Sequence, residues 1–466
     1  MRGRAAAPRR PSPCGPVSRG GPATGPAGAP RRKNLHGPVG PQPVPGNDAP
    51  GRGDGMSTGS DGTGGGMSGN RWSFLAVTCA ALVLSLSTWF SATAVMPELI
   101  LRWGLGASEA AWLTNGVQAG FVAGALISSA LALPDRLHPN RLMGAAATVA
   151  GLATLLLLLE PGPAAAIAAR MLTGAALACV YPPAIRLMAT WFRQGRGLAL
   201  GCLIGALTLG SALPHLVRGL GEALDWRLVI GAAGLFSLLA APIFGLALRE
   251  GPHPFGRAAA IDLRQTFGVL RNRPVMAANL GYFGHMWELY AVWGWFLAWA
   301  RAASEAGLGL GNLSLLTFAV VAAGAPGCVL GGILSDRIGR CRTTALAMAI
   351  SGSCALAVGL AWSGPVWLLV GLALLWGLAI VADSAQFSAA VTELSPPHLV
   401  GSALAFQMGV GFALTIVTIW AVPLLAEAIG WRWVFLLLVP GPFLGAWVML
   451  ALRRMPEAER MAHGRR

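Results

Sequence analysis

This sequence contains few charged residues. Only 11% of its 466 residues are Asp, Glu, Lys or Arg, whereas 55% are hydrophobic and the mean hydropathy is +0.60. A soluble domain carries about 25% charged residues. The composition therefore excludes a soluble globular protein and predicts that most of the chain lies in a lipid bilayer.

Lysine is nearly absent, since Lys33 is the only one, so the net charge of +15 comes from arginine. A basic chain can bind nucleic acid, but these arginines lie in short segments between apolar stretches and in the tails, as membrane topology requires. We therefore expect no nucleic-acid partner.

Patterns typical of enzymes, metal sites and disulfide frameworks are also missing. The seven cysteines are dispersed, without Cys-x-x-Cys or Cys/His spacing. No HExxH, GxSxG or P-loop pattern occurs near the apolar stretches. We expect no catalytic residue, no metal and no cofactor, with a membrane-embedded enzyme or a scaffold as the alternative from another class.

Residues 1–70 contain 12 Pro and 18 Gly and no aliphatic run, which predicts a disordered tail. Without an apolar core it is not a signal peptide. Two interpretations stay open. The segment is either a basic cytoplasmic tail near the anionic leaflet, or an artefact of the start site, with translation beginning at Met56 or Met67.

Apolar stretches of about 20 residues, the length needed to cross the hydrocarbon, recur twelve times. They lie at residues 72–96, 110–133, 142–159, 164–187, 197–217, 227–247, 274–300, 312–334, 343–362, 365–391, 400–424 and 431–452. We therefore predict an all-α integral membrane protein with twelve transmembrane helices.

The loops between these stretches alternate in arginine content. Thirteen arginines lie at one end of the predicted spans, and we call this the arginine-rich end; only five lie at the other. The thirteen are Arg136, Arg141, Arg186, Arg193, Arg196, Arg249, Arg257, Arg264, Arg271, Arg273, Arg337, Arg340 and Arg342. The positive-inside rule places this end and both termini in the cytoplasm, in a multi-pass protein of the cell (inner) membrane.

The two halves of the chain look like copies. Asp135-Arg136 recurs 201 positions later as Asp336-Arg337, and Trp226-Arg227 recurs 205 positions later as Trp431-Arg432. This spacing predicts two pseudo-symmetric six-helix bundles, residues 71–250 and 274–455, the arrangement that secondary transporters with a substrate site near the midplane share. Residues 251–273 are the predicted cytoplasmic linker, and residues 456–466 the predicted cytoplasmic tail.

One short polar turn between spans eight and nine resembles the signature loop of the major facilitator superfamily of transporters. It contains Gly332, Asp336, Arg337, Gly339 and Arg340. The resemblance implies a transporter that works by alternating access, in which Asp336 pairs with basic residues and a neighbouring helix end to close the inner face. The first-half copy, Asp135-Arg136, departs from the pattern.

A second, weaker resemblance links residues 190–201 to nitrate/nitrite porters and oxalate:formate-type anion carriers. Those carriers place Arg inside spans two and eight, where this chain has none. Arg170 lies inside span four instead. It either extends to the outer surface or, as the family likeness implies, faces the cavity for anion binding or proton linkage.

Ionisable groups inside the membrane usually face the protein interior or a watery cavity. In span seven, helical periodicity places Tyr282, His285 and Glu288 on one side, with Glu288 near the midplane. Glu288 is a candidate proton carrier, or a structural partner of His285. In span ten, Asp383 and Gln386 share a face and act either in transport and gating or in pinning the helix.

These observations predict a secondary active transporter that moves a small solute, an organic or inorganic anion, by alternating access with proton coupling. The alternative is a multidrug-type exporter of amphipathic compounds. We expect a small-molecule substrate, protons and the bilayer as partners of a monomer.

Overall fold

The computed structural model describes residues 70–131, 133–192, 196–221, 225–253, 270–396 and 399–465. Within these ranges the fold is helical and contains no strand. The predicted disordered tail lies outside the described residues, except for Asn70. Of the predicted linker 251–273, residues 254–269 lie outside them as well.

The helices of the N-terminal half, residues 70–253, begin with a span in three pieces. In chain order they are α1 (Arg71–Leu86), α2 (Ser91–Ala94), α3 (Met96–Trp103), α4 (Ala107–Ala130), α5 (Leu133–Arg136), α6 (Pro139–Leu155), α7 (Pro163–Leu177), α8 (Tyr181–Trp191), α9 (Arg196–Leu220) and α10 (Trp226–Pro242). A π-helical turn, Ile243–Ala247, continues α10.

The C-terminal half, residues 270–465, also contains both long and interrupted spans. Its helices are α11 (Arg273–Glu305), α12 (Leu313–Ala322), α13 (Gly324–Ile338), α14 (Arg340–Leu360), α15 (Val366–Ala382), α16 (Ser384–Leu394), α17 (Val400–Ile429) and α18 (Pro440–Arg453). A 3-10 helix, Pro456–Gly464, ends the chain.

The multi-span, all-helical fold predicted from the sequence is confirmed, with a difference in the count. Ten helices in the described part of the chain are long and apolar enough to cross a membrane, against twelve predicted spans. The first predicted span is divided after Leu86. The seventh is the 33-residue α11, whose many Trp, Tyr and Gly residues lower its hydropathy.

Four spans are interrupted near their middle. The first breaks at residues 87–90, the fourth at 178–180 before Pro182 and Pro183, the eighth at Ala323 between α12 and α13, and the tenth at Asp383. Proline removes a helical N–H donor, which explains the second break. Each break leaves backbone groups that need partners, because hydrocarbon offers none.

Glycine allows the helices to approach closely. A Cβ atom at Gly174 in α7 would lie 2.0 Å from the carbonyl oxygen of Val117 in α4. Such contacts are typical of helix packing in membranes. The two halves meet where α9 packs against α12 and α13, and where α4 packs against α17.

Candidate substrate and proton site

Aromatic rings from both halves meet at the centre of the molecule. The cluster contains two rings from the broken first span, one from α4, two from α11 and one from α17: Trp89, Phe90, Phe121, Tyr290, Trp293 and Phe412. Their centroids are 4.5 to 6.1 Å apart, with Phe121 and Phe412 the nearest pair at 4.5 Å. We call this set the central aromatic cluster.

Arg170 lies beside this cluster and is fully buried. Its guanidinium donates to the Thr88 carbonyl at 2.7 Å, to the Leu113 carbonyl at 3.3 Å, to Ser91 Oγ at 3.2 Å, and also to the Trp89 carbonyl. Four of its five N–H donors are thereby used. Arg170 supplies the partners that the break in the first span requires, and it fixes the position of Trp89.

Arg170 therefore faces the broken first span. No carboxylate among the described residues forms an ion pair with it. A positive charge without a negative neighbour in a low-dielectric interior creates a potential that attracts anions.

Unpaired polar atoms surround the same cluster. The indole N–H groups of Trp89 and Trp293 and both polar atoms of the Gln118 side chain are buried and have no hydrogen-bond partner within the described ranges. Gln118 lies one turn from Phe121 on α4. Buried polar groups of this kind are where water or a ligand binds.

Glu288 is buried inside the C-terminal half, where α11, α14 and α15 meet. One carboxylate oxygen accepts from Ser351 Oγ at 2.7 Å, and the other accepts from Trp376 Nε1, also at 2.7 Å. The side chain of Glu288 thus contacts two neighbouring helices, and no hydrogen bond or ion pair between Glu288 and His285 is found among the described residues.

His285 pairs with Asp383 at the break in span ten. Its Nδ1 atom is 2.9 Å from Asp383 Oδ1, and its Nε2 atom is 3.0 Å from Ser384 Oγ. Both His285 and Asp383 are buried. Because Asp383 separates α15 from α16, the pair connects α11 to the point at which span ten changes direction.

Tyr282 and Gln386 lie on either side of this pair. The centroids of the Tyr282 and His285 rings are 6.0 Å apart. The Tyr282 ring also packs against α17, where a Cβ atom added at Gly411 would collide with the Tyr282 ring. The Gln386 side-chain oxygen accepts from Arg340 at 2.7 Å. Both side chains are buried, and Gln386 in addition connects the interior to Arg340 of the signature loop.

The signature loop is held mainly by Arg340. Arg340 donates to both oxygens of Glu393 at the end of α16, at 2.5 and 2.7 Å. Gly339 has φ +92°, which allows α13 to turn directly into α14. Arg337 is exposed.

Asp336 is exposed, and no ion pair of its carboxylate is found in the described part of the structure. Its backbone carbonyl accepts from Arg465, near the end of the chain. In the first-half copy Arg136 is exposed, and the side chain of Asp135 is outside the described residues. The buried Gly332 packs near Gly197 of α9.

The sequence analysis missed several members of these networks. Ser351, Trp376 and Thr88 hold the buried charges, and Trp89 and Phe412 form the centre of the aromatic cluster. For Thr88 and Trp89 a signal was present in the polar run Ser87-Thr88 inside an apolar span. Ser351 and Trp376 gave no signal, because Ser and Trp are common in membrane helices.

The helical fold, with buried charges between broken spans, is that of a multi-pass membrane transporter. The chain belongs to the Major Facilitator Superfamily, whose sequence model matches residues 77–301 and 291–465. A solved structure with the same fold is a bacterial homologue of the human lysosomal transporter Spinster, in an inward-facing, unoccupied conformation. It has a TM-score of 0.63 and 16% identity, and the match covers 83% of this chain and 99% of that one.

The relatives include two proteins named as transporters and one named as a resistance protein. A gallate transporter of Pseudomonas putida is 24% identical over 351 residues, covering 68% of this chain and 77% of the relative. A probable sulfoacetate transporter of Cupriavidus necator is 26% identical over 284 residues, covering 58% and 65%. The puromycin resistance protein of Streptomyces alboniger is 29% identical over 255 residues, covering 54% and 47%.

Proposed function

We propose that this chain is a proton-coupled secondary active transporter of a small organic anion. The anion binds at the central aromatic cluster, between the two halves, and reaches each side of the membrane in turn as the halves rock about it. Membership in the superfamily supports transport, and the chemistry of the interior supports the anion and the proton.

The observation that carries the anion assignment is the buried Arg170, which has no carboxylate partner in the part of the chain that the structure describes. The Arg170 guanidinium donates to the Trp89 carbonyl. At the cluster, three donor groups have no partner among the described residues: the indole N–H groups of Trp89 and Trp293 and the amide of Gln118. A carboxylate accepts hydrogen bonds from such donors. Gallate and sulfoacetate, the substrates named for two relatives, both carry a carboxylate.

The proton assignment rests on Glu288 and on the pair of His285 with Asp383. All three side chains are at most 3% exposed, at membrane depth, where ionisable groups are costly and mark proton or substrate pathways. His285 and Asp383 lie at the break in span ten, so their protonation state is coupled to the geometry of that helix. Movement of span ten then accompanies loading and release of the proton.

The test is uptake into proteoliposomes containing the purified chain, with gallate and sulfoacetate as probes. An imposed pH gradient is expected to drive one of them against its concentration gradient, and a protonophore should abolish this accumulation. The Arg170→Gln variant, reconstituted in the same way, is expected to lose this flux. Equal flux with and without the pH gradient would contradict proton coupling, and equal flux in the variant would contradict the anion site.

A second candidate is an exporter of amphipathic compounds, which the six rings of the central aromatic cluster favour. Puromycin, named for one relative, is an aromatic cation at neutral pH. Protection of cells from puromycin by the wild-type chain, combined with no transport of the two anions, would favour this candidate over the first.

A further inference from the structure

A second candidate binding site lies at the arginine-rich end, far from the central aromatic cluster. A cleft of about 790 Å³ opens between the start of α1, the end of α8 and the segment that follows span six. Its lining contains Arg71, Trp72, Trp191, Arg249 and Glu250, together with Asn70, Gly251, Pro252 and His253. We call it the basic cleft.

The walls of the basic cleft are fixed by hydrogen bonds. Trp191 Nε1 donates to the Arg249 carbonyl at 3.0 Å, the Gly251 N–H donates to Thr190 Oγ1 at 2.7 Å, and the His253 N–H donates to the Thr190 carbonyl at 3.1 Å. A Cβ atom at Gly251 would lie 2.5 Å from that carbonyl. The segment 249–253 is therefore fastened to the end of α8, and the cleft is preformed.

The charge of the cleft favours an anion. Its lining contains two arginines, Arg71 and Arg249, and one glutamate, Glu250. The start of α1 adds the positive end of a 16-residue helix dipole. Arg71 is oriented by its aromatic neighbours, because its guanidinium lies 5.4 Å from the Trp72 ring and 5.6 Å from the Phe192 ring.

Two features favour a phospholipid headgroup over a free phosphate. Trp72 is 45% exposed beside the cleft, and Trp residues at the ends of spans lie at the level of lipid headgroups. The cleft is also far larger than one phosphate ion. Since the positive-inside rule places this end at the cytoplasmic leaflet, anionic lipids are within reach.

From this arrangement we infer that the basic cleft binds the headgroup of an anionic phospholipid at the cytoplasmic ends of spans one, four and six. The phosphodiester accepts from Arg71 and Arg249, and its polar head lies against the indole of Trp191. A lipid bound there connects the start of the first span, which carries Trp89 at its break, to the ends of spans four and six.

The test is native mass spectrometry of the full chain in detergent, titrated with phosphatidylglycerol or with phosphatidylcholine of the same acyl chains. Wild-type protein is expected to bind the anionic lipid in preference. In the Arg71→Gln/Arg249→Gln variant the affinity should fall about five-fold for each arginine removed. The Arg71→Lys/Arg249→Lys variant keeps the charge and should retain most of the preference.

The matched control is Arg141→Gln/Arg454→Gln, which removes two exposed arginines from the same end but outside the cleft. An equal loss of lipid affinity in this control would mean that general surface charge causes the effect, and it would contradict the proposed site. Equal binding of the two lipids by wild type would also overturn it. Displacement of the lipid by excess inorganic phosphate, with phosphate binding lost in the cleft variant, would assign the cleft to a soluble phosphate compound instead.

Discussion

At the scale of single residues, the buried charged side chains of this protein form hydrogen bonds within the fold. Arg170 binds the carbonyls of a broken helix, and Glu288 accepts from Ser351 and Trp376. These contacts lower the cost of burial, because a charge in hydrocarbon is tolerated only with partners. A residue of this kind supports the fold and the proposed transport together, so a variant must be measured for both.

Replacing Arg170 by lysine is expected to abolish anion accumulation and lower stability. The three donors of an ammonium group on a shorter, non-planar head cannot reach all four acceptors, and each buried acceptor left unpaired costs about 1–3 kcal/mol. Thermal unfolding and proteoliposome uptake measure the two effects. The control is Arg454→Lys, an exposed arginine. Unchanged unfolding of the Arg170→Lys variant would contradict its role at the break in span one.

Replacing Glu288 by glutamine is expected to abolish pH-driven accumulation, because the amide cannot bind and release a proton. Ser351→Ala is the matched control, since it removes one hydrogen bond to the carboxylate but keeps the ionisable group. It should retain pH-driven transport at a reduced rate. Wild-type transport rates across a pH gradient in the glutamine variant would remove Glu288 from the mechanism.

At the end opposite the arginine-rich end, Glu160 makes stability depend on pH. The hydrogen bonds from Arg102, at 2.6 and 2.7 Å, and then the charges of Arg102 and Arg227 hold the pKa of Glu160 below its usual value. A lowered folded-state pKa stabilises the protein above the unfolded pKa of about 4.3, and this stabilisation is lost as the pH falls through the folded value.

Glu160→Gln should therefore lower the Tm at pH 7, and the difference from wild type should shrink below about pH 4. Glu305→Gln is the control, because Glu305 is exposed at the same end and has no ion pair among the described residues. A difference from wild type that is the same at every pH would contradict the ion-pair origin of the effect.

At the scale of helices, interrupted spans and close contacts at glycine determine where the buried charged side chains lie. Arg170 lies one turn before Gly174 on α7, and Gly174 lets α7 approach α4 until backbone touches backbone. The position of the guanidinium thus depends on the distance between two helices. The break at Asp383 places its carboxylate beside His285 in the same indirect way.

Gly174→Ala is expected to force α4 and α7 apart and to lower both the Tm and anion uptake, because overpacking typically costs 1–3 kcal/mol. Gly231→Ala is the matched control within α10, where an added Cβ meets nothing within 4 Å. The control should be neutral or slightly stabilising, since alanine favours helix over glycine. Equal Tm values for the two variants would refute the packing argument.

At the scale of the whole molecule, two amide hydrogen bonds join the halves at the end opposite the arginine-rich end. Asn115 Nδ2 donates to the Ile416 carbonyl at 3.0 Å, and Asn312 Nδ2 donates to the Gly219 carbonyl at 2.8 Å. These bonds link the two halves on that side. In alternating access the stability of this contact sets how often that side opens.

The double variant Asn115→Ala/Asn312→Ala is expected to raise hydrogen exchange in α4 and α17, by about ten-fold if each bond contributes about 0.6 kcal/mol or more. Asn140→Ala is the matched control, because its amide donates to the Gly245 carbonyl within one half at 2.9 Å. Equal exchange in the double variant and in wild type would mean that these bonds do not hold the halves together.

The sequence by itself determined the helical membrane fold, and it singled out Arg170, Glu288 and Asp383, because long apolar runs and isolated charges within them are visible in one dimension. The tertiary structure decided the partner of each charged side chain. Arg170 binds the carbonyls of a broken span, Glu288 binds a serine and an indole, and Asp383 lies beside a histidine. It also decided that rings from both halves fill the centre. The break before Pro182 and Pro183 has a local cause. The breaks at residues 87–90 and at Asp383, and the helix–helix distances, depend on contacts between residues far apart in the chain.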